Sequence, residues 1–308
     1  MVLNRASSGV RSLAATALVA LAFGTAQALA GPTAAGRVPV VATFYPLFEF
    51  TARVGGDRVT VRTLVPAGVE SHDYEPTPRD VVALIQARVI VYNGAGFEPW
   101  LRRLLPQLPG RVVTINATEG LPIHRGTSVG RAGPPDPHVW LDPVLAQRQV
   151  DRILAGLVSA DPAGRGTYES NAAAYKGGLG ALHGRIAQTL APCRKKVIVV
   201  SHAAFGYFTA RYGLTQIAIS GLEPGEEPSP ARMRDLLHAI RRHRVTVIYY
   251  ETLMSPRVAA AIAREVGART LVLNPLEGLT DEEQRAGKDY MSIMEENLRS
   301  LVAGLDCP

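Results

Sequence analysis

From residue 38 onward, short apolar and β-branched runs alternate with longer segments in which apolar residues return every three or four positions, the pattern of strands alternating with helices. The first set places strands at 38–44, 58–65, 89–92 and 112–115, separated by helices at 46–54, 78–87 and 99–105. Residues 120–137 are dominated by Gly, Pro, Arg and Ser, show no periodicity and read as a loop. A helix is expected at 144–159. Asp161-Pro162 then offers an N-cap with proline at the first helical position. It opens an alanine-rich segment that reads as one long helix to residue 190, against the tendency of Gly177, Gly178 and Gly180. The alternation resumes with strands at 196–200, 214–219, 245–250 and 270–273 and helices at 204–212, 230–243 and 256–266, and an amphipathic helix at 291–305 closes the chain. Such alternation implies parallel sheets covered by helices. The expectation is therefore an α/β chain of two lobes, 31–160 and 192–308, joined by a linking helix at 161–191.

Ahead of the first strand, Arg5 and Arg11 precede an apolar run at 13–23 and small residues ending in Ala28-Leu29-Ala30, the layout of a cleaved secretory signal at 1–30. The run is shorter than the roughly 18 residues of a membrane span, and no later stretch supplies one, so an exported, soluble, periplasmic protein is expected. No cysteine lies near the cleavage site, so no lipid anchor is expected there. Without the signal, roughly 280 residues remain, enough for two α/β lobes with their own cores. The formal charge of +6 comes from scattered arginines without interleaved aromatics, which together with export argues against a nucleic-acid partner. The two cysteines, Cys193 and Cys307, both fall in the second lobe and are expected to pair in an oxidising compartment.

Candidate chemistry lies at strand ends. In open α/β sheets, ligands bind beyond the carboxyl ends of the strands. His72 lies in the loop after the strand ending at Val65, and His202 follows the strand at 196–200 with only Ser201 between. His138 comes beyond the strand at 112–115, and Asn274 directly follows the strand at 270–273. His138 sits in Asp136-Pro137-His138-Val139-Trp140-Leu141-Asp142-Pro143, where prolines forbid continuous helix or central strand and make a rigid elbow. The flanking carboxylates can orient its imidazole through the second ring nitrogen. Three imidazoles from distant segments meeting at one point is a common way to assemble a zinc site. His124 reads as a solvated loop residue, and His183, His238 and His243 as surface residues of helices.

Thr43-Phe44-Tyr45-Pro46, Val65-Pro66-Ala67-Gly68 with Ser71-His72-Asp73-Tyr74-Glu75-Pro76-Thr77-Pro78, the elbow at 136–143, Ser201-His202-Ala203-Ala204-Phe205-Gly206-Tyr207-Phe208 and residues 263–276 together resemble a known family. It is that of the solute-binding proteins of bacterial zinc and manganese ABC importers, and the segments match in its order over essentially the whole mature chain. The resemblance implies two lobes joined by one long, stiff helix, metal held between them and only modest closure on binding. It implies a binder without enzymatic activity that delivers its ion to a membrane permease, acting as a monomer, with a periplasmic metallochaperone as a further partner to consider.

Carried over residue by residue, the resemblance makes His72, His138 and His202 metal ligands. Members with histidine at the position of His202 are of zinc type, and manganese-type members resemble these but carry glutamate there; imidazole likewise suits zinc on chemical grounds. Two departures stand out. The long histidine-rich loop of many zinc members is here a segment with only His124, and the usual aspartate before Pro-Leu is Asn274. The fourth position is thus open among Asn274, water, Glu251 and Glu277. An uncharged amide oxygen should compete poorly for zinc, so the favoured reading is three histidines plus water, with Asn274 at the edge. Alternatives are a manganese-binding importer component, a metal-dependent adhesin, and a three-histidine zinc hydrolase with Glu70, Glu251 or Glu277 as base and a bound water of pKa roughly 7.

Overall fold

The computed structural model describes residues 36–128, 131–225 and 228–308. The expected signal at 1–30 lies outside them. The first sheet comprises β1 (Val38–Ala42), β2 (Val59–Thr63), β3 (Val89–Tyr92) and β4 (Val113–Asn116), all parallel, in the order β2-β1-β3-β4. Its helices are α1 (Tyr45–Gly55), α2 (Pro78–Gln86) and α3 (Leu101–Leu104). The near-continuous apolar runs of β1 and β3 follow from burial on both faces. Alternate residues take alternate sides: Val40, Ala42, Val89 and Val91 face one apolar cluster, whereas Val41 and Ile90 face Leu84 of α2 and Leu101 of α3.

Residues 120–137 hold a two-stranded antiparallel ribbon, β5 (Arg125–Ser128) and β6 (Arg131–Pro135), where the sequence suggested an irregular loop. A ribbon outside the main sheets needs no apolar alternation, so periodicity cannot reveal it. Its strands meet closely: a Cβ added to Gly133 would lie 2.4 Å from the Gly126 carbonyl oxygen.

The elbow at His138 leads through a 3₁₀ turn into α4 (Pro143–Ala160), where Asp142 caps the helix by accepting the Val144 N–H at 2.9 Å. A second 3₁₀ turn, Pro162–Gly164, opens the long helix α5 (Arg165–Leu190), 26 residues and about 39 Å in length. Gly177, Gly178 and Gly180 are exposed in it. The helix is held by a buried stripe, Tyr168, Ala172, Leu179, Leu182, Ile186 and Leu190, whose packing outweighs the roughly 1 kcal/mol that each glycine costs relative to alanine.

The second sheet repeats the topology of the first. Its strands β7 (Val197–Val200), β8 (Thr215–Ala218), β9 (Val247–Tyr250) and β10 (Arg269–Val272) are parallel in the order β8-β7-β9-β10. Helices α6 (Gly206–Tyr212), α7 (Pro230–Arg242), α8 (Arg257–Val266), α9 (Asp281–Arg285) and α10 (Tyr290–Gly304) complete the chain. Val199 and Ile248 face α7 and α8, whereas Ile198, Val200, Val247 and Tyr249 join the same apolar cluster as Val40 and Val91. One core therefore runs from the first sheet through α5 and α10 to the second, within the single compact unit Gly36–Pro308. Cys193 and Cys307 form a disulfide that ties the end of α10 to the approach of β7, as their sequence context suggested.

Candidate metal centre

Four side chains from four connections at the carboxyl ends of the strands converge: His72 after β2, His138 at the elbow after the ribbon, His202 just after β7 and Glu277 after β10. His138 Nε2 lies 3.3 Å from His72 Nε2 and 3.2 Å from His202 Nε2. Glu277 Oε1 lies 3.3 Å from His72 Nε2, 3.2 Å from His138 Nε2 and 3.0 Å from His202 Nε2. Metal–ligand bonds of about 2.0–2.1 Å in a tetrahedron imply donor–donor edges of roughly 3.3 Å, so these five edges suit a zinc ion. The four side chains are 0–3% exposed.

Each imidazole is backed on its other nitrogen by a carboxylate. Asp136 Oδ1 accepts from His138 Nδ1 at 2.8 Å and from the His138 backbone N–H at 3.0 Å. Glu251 Oε1 does the same for His202, at 2.7 Å and 3.2 Å. Glu223 Oε2 lies 3.1 Å from His72 Nδ1, while Glu70 accepts the His72 backbone N–H at 3.0 Å. Because a carboxylate holds the proton on each Nδ1, Nε2 is the atom of each ring left to give its lone pair to a divalent ion. The elbow is pinned by the Asn93 amide donating to the Pro137 carbonyl at 2.9 Å and the Tyr207 hydroxyl donating to the Asp136 carbonyl at 2.8 Å.

The centre is electrostatically poised for a cation. Burial works against charge on His72, but the Glu277 anion and hydrogen bonds to Glu223 and Glu277 outweigh it and lift the imidazole to about 10. Burial is likewise overcome at His202 by Glu251 and Glu277, which raise it well above the usual imidazole range. Burial alone would raise Glu277; the imidazoles of His202 and His72, with hydrogen bonds from His138 and His202, hold it well below the usual carboxylate range instead. Glu70 is pushed up to about 8 by burial and by the neighbouring Glu277 charge. Without metal, protons balance the Glu277 anion, and a divalent ion can take their place.

The structure brings His72, His138 and His202 together and leaves Asn274 out of the cluster. Its Oδ1 accepts the Leu276 N–H at 2.7 Å, and its Nδ2 donates to Glu283 at 3.2 Å. The backbone N–H and carbonyl of Asn274 are bound by the Asn297 amide at 2.8 Å and 2.7 Å. Asn274 thus stabilises a turn in which Leu276 adopts φ of 58°, uncommon for a residue other than glycine, and this turn presents Glu277. Of the side chains considered for the fourth position, Glu277 places Oε1 among the three Nε2 atoms, whereas Glu251 backs His202 rather than entering the cluster. Ser71 Oγ donates to the Glu277 carbonyl at 2.7 Å and Trp140 Nε1 to that of Pro275 at 2.8 Å, so three of the four connections are tied to one another. Glu223 gave no signal in the sequence, since its relation to His72 exists only across the two lobes. His124 is exposed and stacks on Tyr207, with ring centroids 4.2 Å apart. His183 is half-buried against the Tyr212 hydroxyl, and His238 and His243 are exposed.

Residues 40–304 match the family described as zinc-uptake complex component A, periplasmic (ZnuA). The chain belongs to this family. It is 38% identical over 310 residues to the high-affinity zinc uptake system protein ZnuA of Bacillus subtilis (strain 168), covering 97% of each chain. It is 40% identical over 282 residues to the zinc-binding lipoprotein AdcA of Streptococcus pneumoniae serotype 4, covering 88% of this chain but only 56% of that longer protein. The Zn(II)-bound ZnuA-like domain of S. pneumoniae AdcA superposes with a TM-score of 0.78 at 40% identity, over 88% of this chain and 100% of that one. The laminin-binding protein Lmb of Streptococcus agalactiae, described as bifunctional with adhesin and metal transporting activity, gives 0.81 at 32% identity over 88% and 100%. This ZnuA-family chain therefore shares the two-lobe architecture with its long connecting helix. Among its described residues no helix is long and apolar enough to cross a membrane.

Proposed function

We propose that this chain captures one zinc ion in the periplasm through His72, His138, His202 and Glu277 and delivers it to the permease of an ABC importer. The observation that carries the reading is the convergence of three Nε2 atoms on one carboxylate oxygen, with a carboxylate behind each ring. Three imidazoles favour zinc over manganese, which prefers oxygen-rich shells. Four protein donors complete a tetrahedral shell, whereas catalytic zinc sites keep three and leave a position for water. That argues for a binder and against the hydrolase. The chain acts as a monomer, and a periplasmic metallochaperone is a further partner.

A competition titration of the mature protein against a chromophoric chelator tests the reading. One zinc per chain should displace the chelator at concentrations where manganese does not. Tighter binding of manganese, or wild-type zinc affinity in His72→Ala, His138→Ala and His202→Ala alike, would overturn it. The likeness to Lmb favours one additional test for adhesion: retention on immobilised laminin by the zinc-loaded chain and not by the metal-free chain would support that role.

A further inference from the structure

The three imidazoles are not backed alike. His138 and His202 lean on carboxylates that are themselves buried, Asp136 at 6% and Glu251 at 3% side-chain exposure, whereas the partner of His72 Nδ1 is Glu223, at 63%. Glu223 also reaches across the molecule. It comes from the connection between β8 and α7 of the second lobe, and His72 from the connection after β2 of the first. Both border a cavity of about 570 Å³ beside the site, lined further by Phe97, Asp136 and Arg232; among the four clustered side chains, His72 alone lines it.

We propose that Glu223 is a latch on His72, a positioning residue that sets how fast zinc leaves the site; this rests on the ligand assignment proposed above. The hydrogen bond to Glu223 keeps the His72 proton on Nδ1 and its Nε2 aimed at the centre. An exposed carboxylate exchanges an imidazole partner for water at little cost, whereas a buried one such as Asp136 or Glu251 would be left unpaired. His72 is therefore the ligand released first. When the latch opens, the ring has the adjoining cavity to turn into, and the ion is uncovered on that side. The remaining ligands stay fixed: Asp136 and Glu251 hold His138 and His202, and the Trp140–Pro275 hydrogen bond ties the elbow to the connection that carries Glu277.

The test is stopped-flow release of zinc from the loaded, full mature chain into excess EDTA, with association measured separately. Glu223→Ala and Glu223→Gln should release zinc about 10-fold faster or more, the scale seen when the partner behind a metal-bound histidine is removed. Association rates should stay unchanged, and Glu223→Asp should restore part of the slow release. If Glu223→Ala releases zinc at the wild-type rate while His72→Ala loses tight binding, the latch is wrong and the ligand assignment stands. If the variant slows association and leaves release untouched, Glu223 steers ions by charge and the latch is equally wrong. Wild-type binding by His72→Ala would remove the ligand assignment itself.

Discussion

Replacing Glu277 with glutamine would leave three converging imidazoles without the anion that gathers them. Zinc affinity of Glu277→Gln should fall by more than about 100-fold, beyond the range for residues that merely back a ligand, and His138→Ala should behave similarly. His124→Ala should titrate like wild type against the same chelator, because His124 is exposed and stacks on Tyr207 outside the cluster. Position 274 reverses an expectation. Read from the sequence, Asn274→Asp would tighten zinc by restoring a charged ligand; in the structure it would place a second carboxylate against Glu283, where the amide now donates at 3.2 Å. Asn274→Asp and Asn274→Ala should each destabilise the fold by about 1–3 kcal/mol, through a lost or repulsive contact at a buried polar group, and should weaken zinc by loosening the turn that presents Glu277. Urea unfolding of the metal-free variants, paired with zinc titration, checks both; tighter zinc binding by Asn274→Asp would restore the charged-ligand reading.

At the scale of elements, legibility followed burial. α5 was visible in the sequence as one long segment, and the stripe from Tyr168 to Leu190 explains why its exposed glycines do not end it. The central strands β1, β3, β7 and β9 were visible because parallel strands covered on both faces are largely apolar, whereas the edge strands β2, β8 and β10 carry exposed polar residues. The β5-β6 ribbon was not, since it has no apolar alternation, and the close approach of Gly126 to Gly133 shows only in the fold. The disulfide between Cys193 and Cys307 anchors α10 at the amino end of β7, away from His202 at the other end of that strand. It closes a separation of 114 residues, for which chain entropy gives roughly 4–5 kcal/mol. Reduction should lower the urea midpoint accordingly while leaving zinc affinity unchanged; loss of zinc affinity on reduction would mean that the bridge shapes the site.

For the whole molecule, the charged centre links metal, protons and stability. His72, lifted to about 10, and His202, also raised, carry protons at neutral pH without metal. Zinc must displace them, so binding at pH 7 should release protons, measurable by calorimetry in buffers of different ionisation enthalpy. The sign for the metal-free fold runs the other way. Raised imidazoles contribute stability that is complete below about 6.5 and lost as pH rises through about 10 at His72. Glu277, held low, contributes above about 4.5 and loses its contribution as pH falls through its depressed value. Zinc should therefore raise the melting temperature more at pH 8 than at pH 5.5, and an equal shift at both would remove the proton competition. The core shared by both sheets and α5 opposes wide separation of the lobes.

The sequence by itself determined the alternating elements and the place of three histidines beyond strand ends, and it suggested the pairing of the two cysteines. These depend on periodicity, composition and compartment, all of which are local or global properties of a chain. Only the tertiary structure placed Glu277, and neither Asn274 nor Glu251, among the three histidines, and only it set a carboxylate behind each imidazole. The clustered donors are separated by 64 to 205 residues, and which of two neighbouring side chains enters the centre depends on a turn of one residue at positive φ. Spacing along the chain cannot encode that choice, because it is made by the packing of connections from opposite lobes against one another.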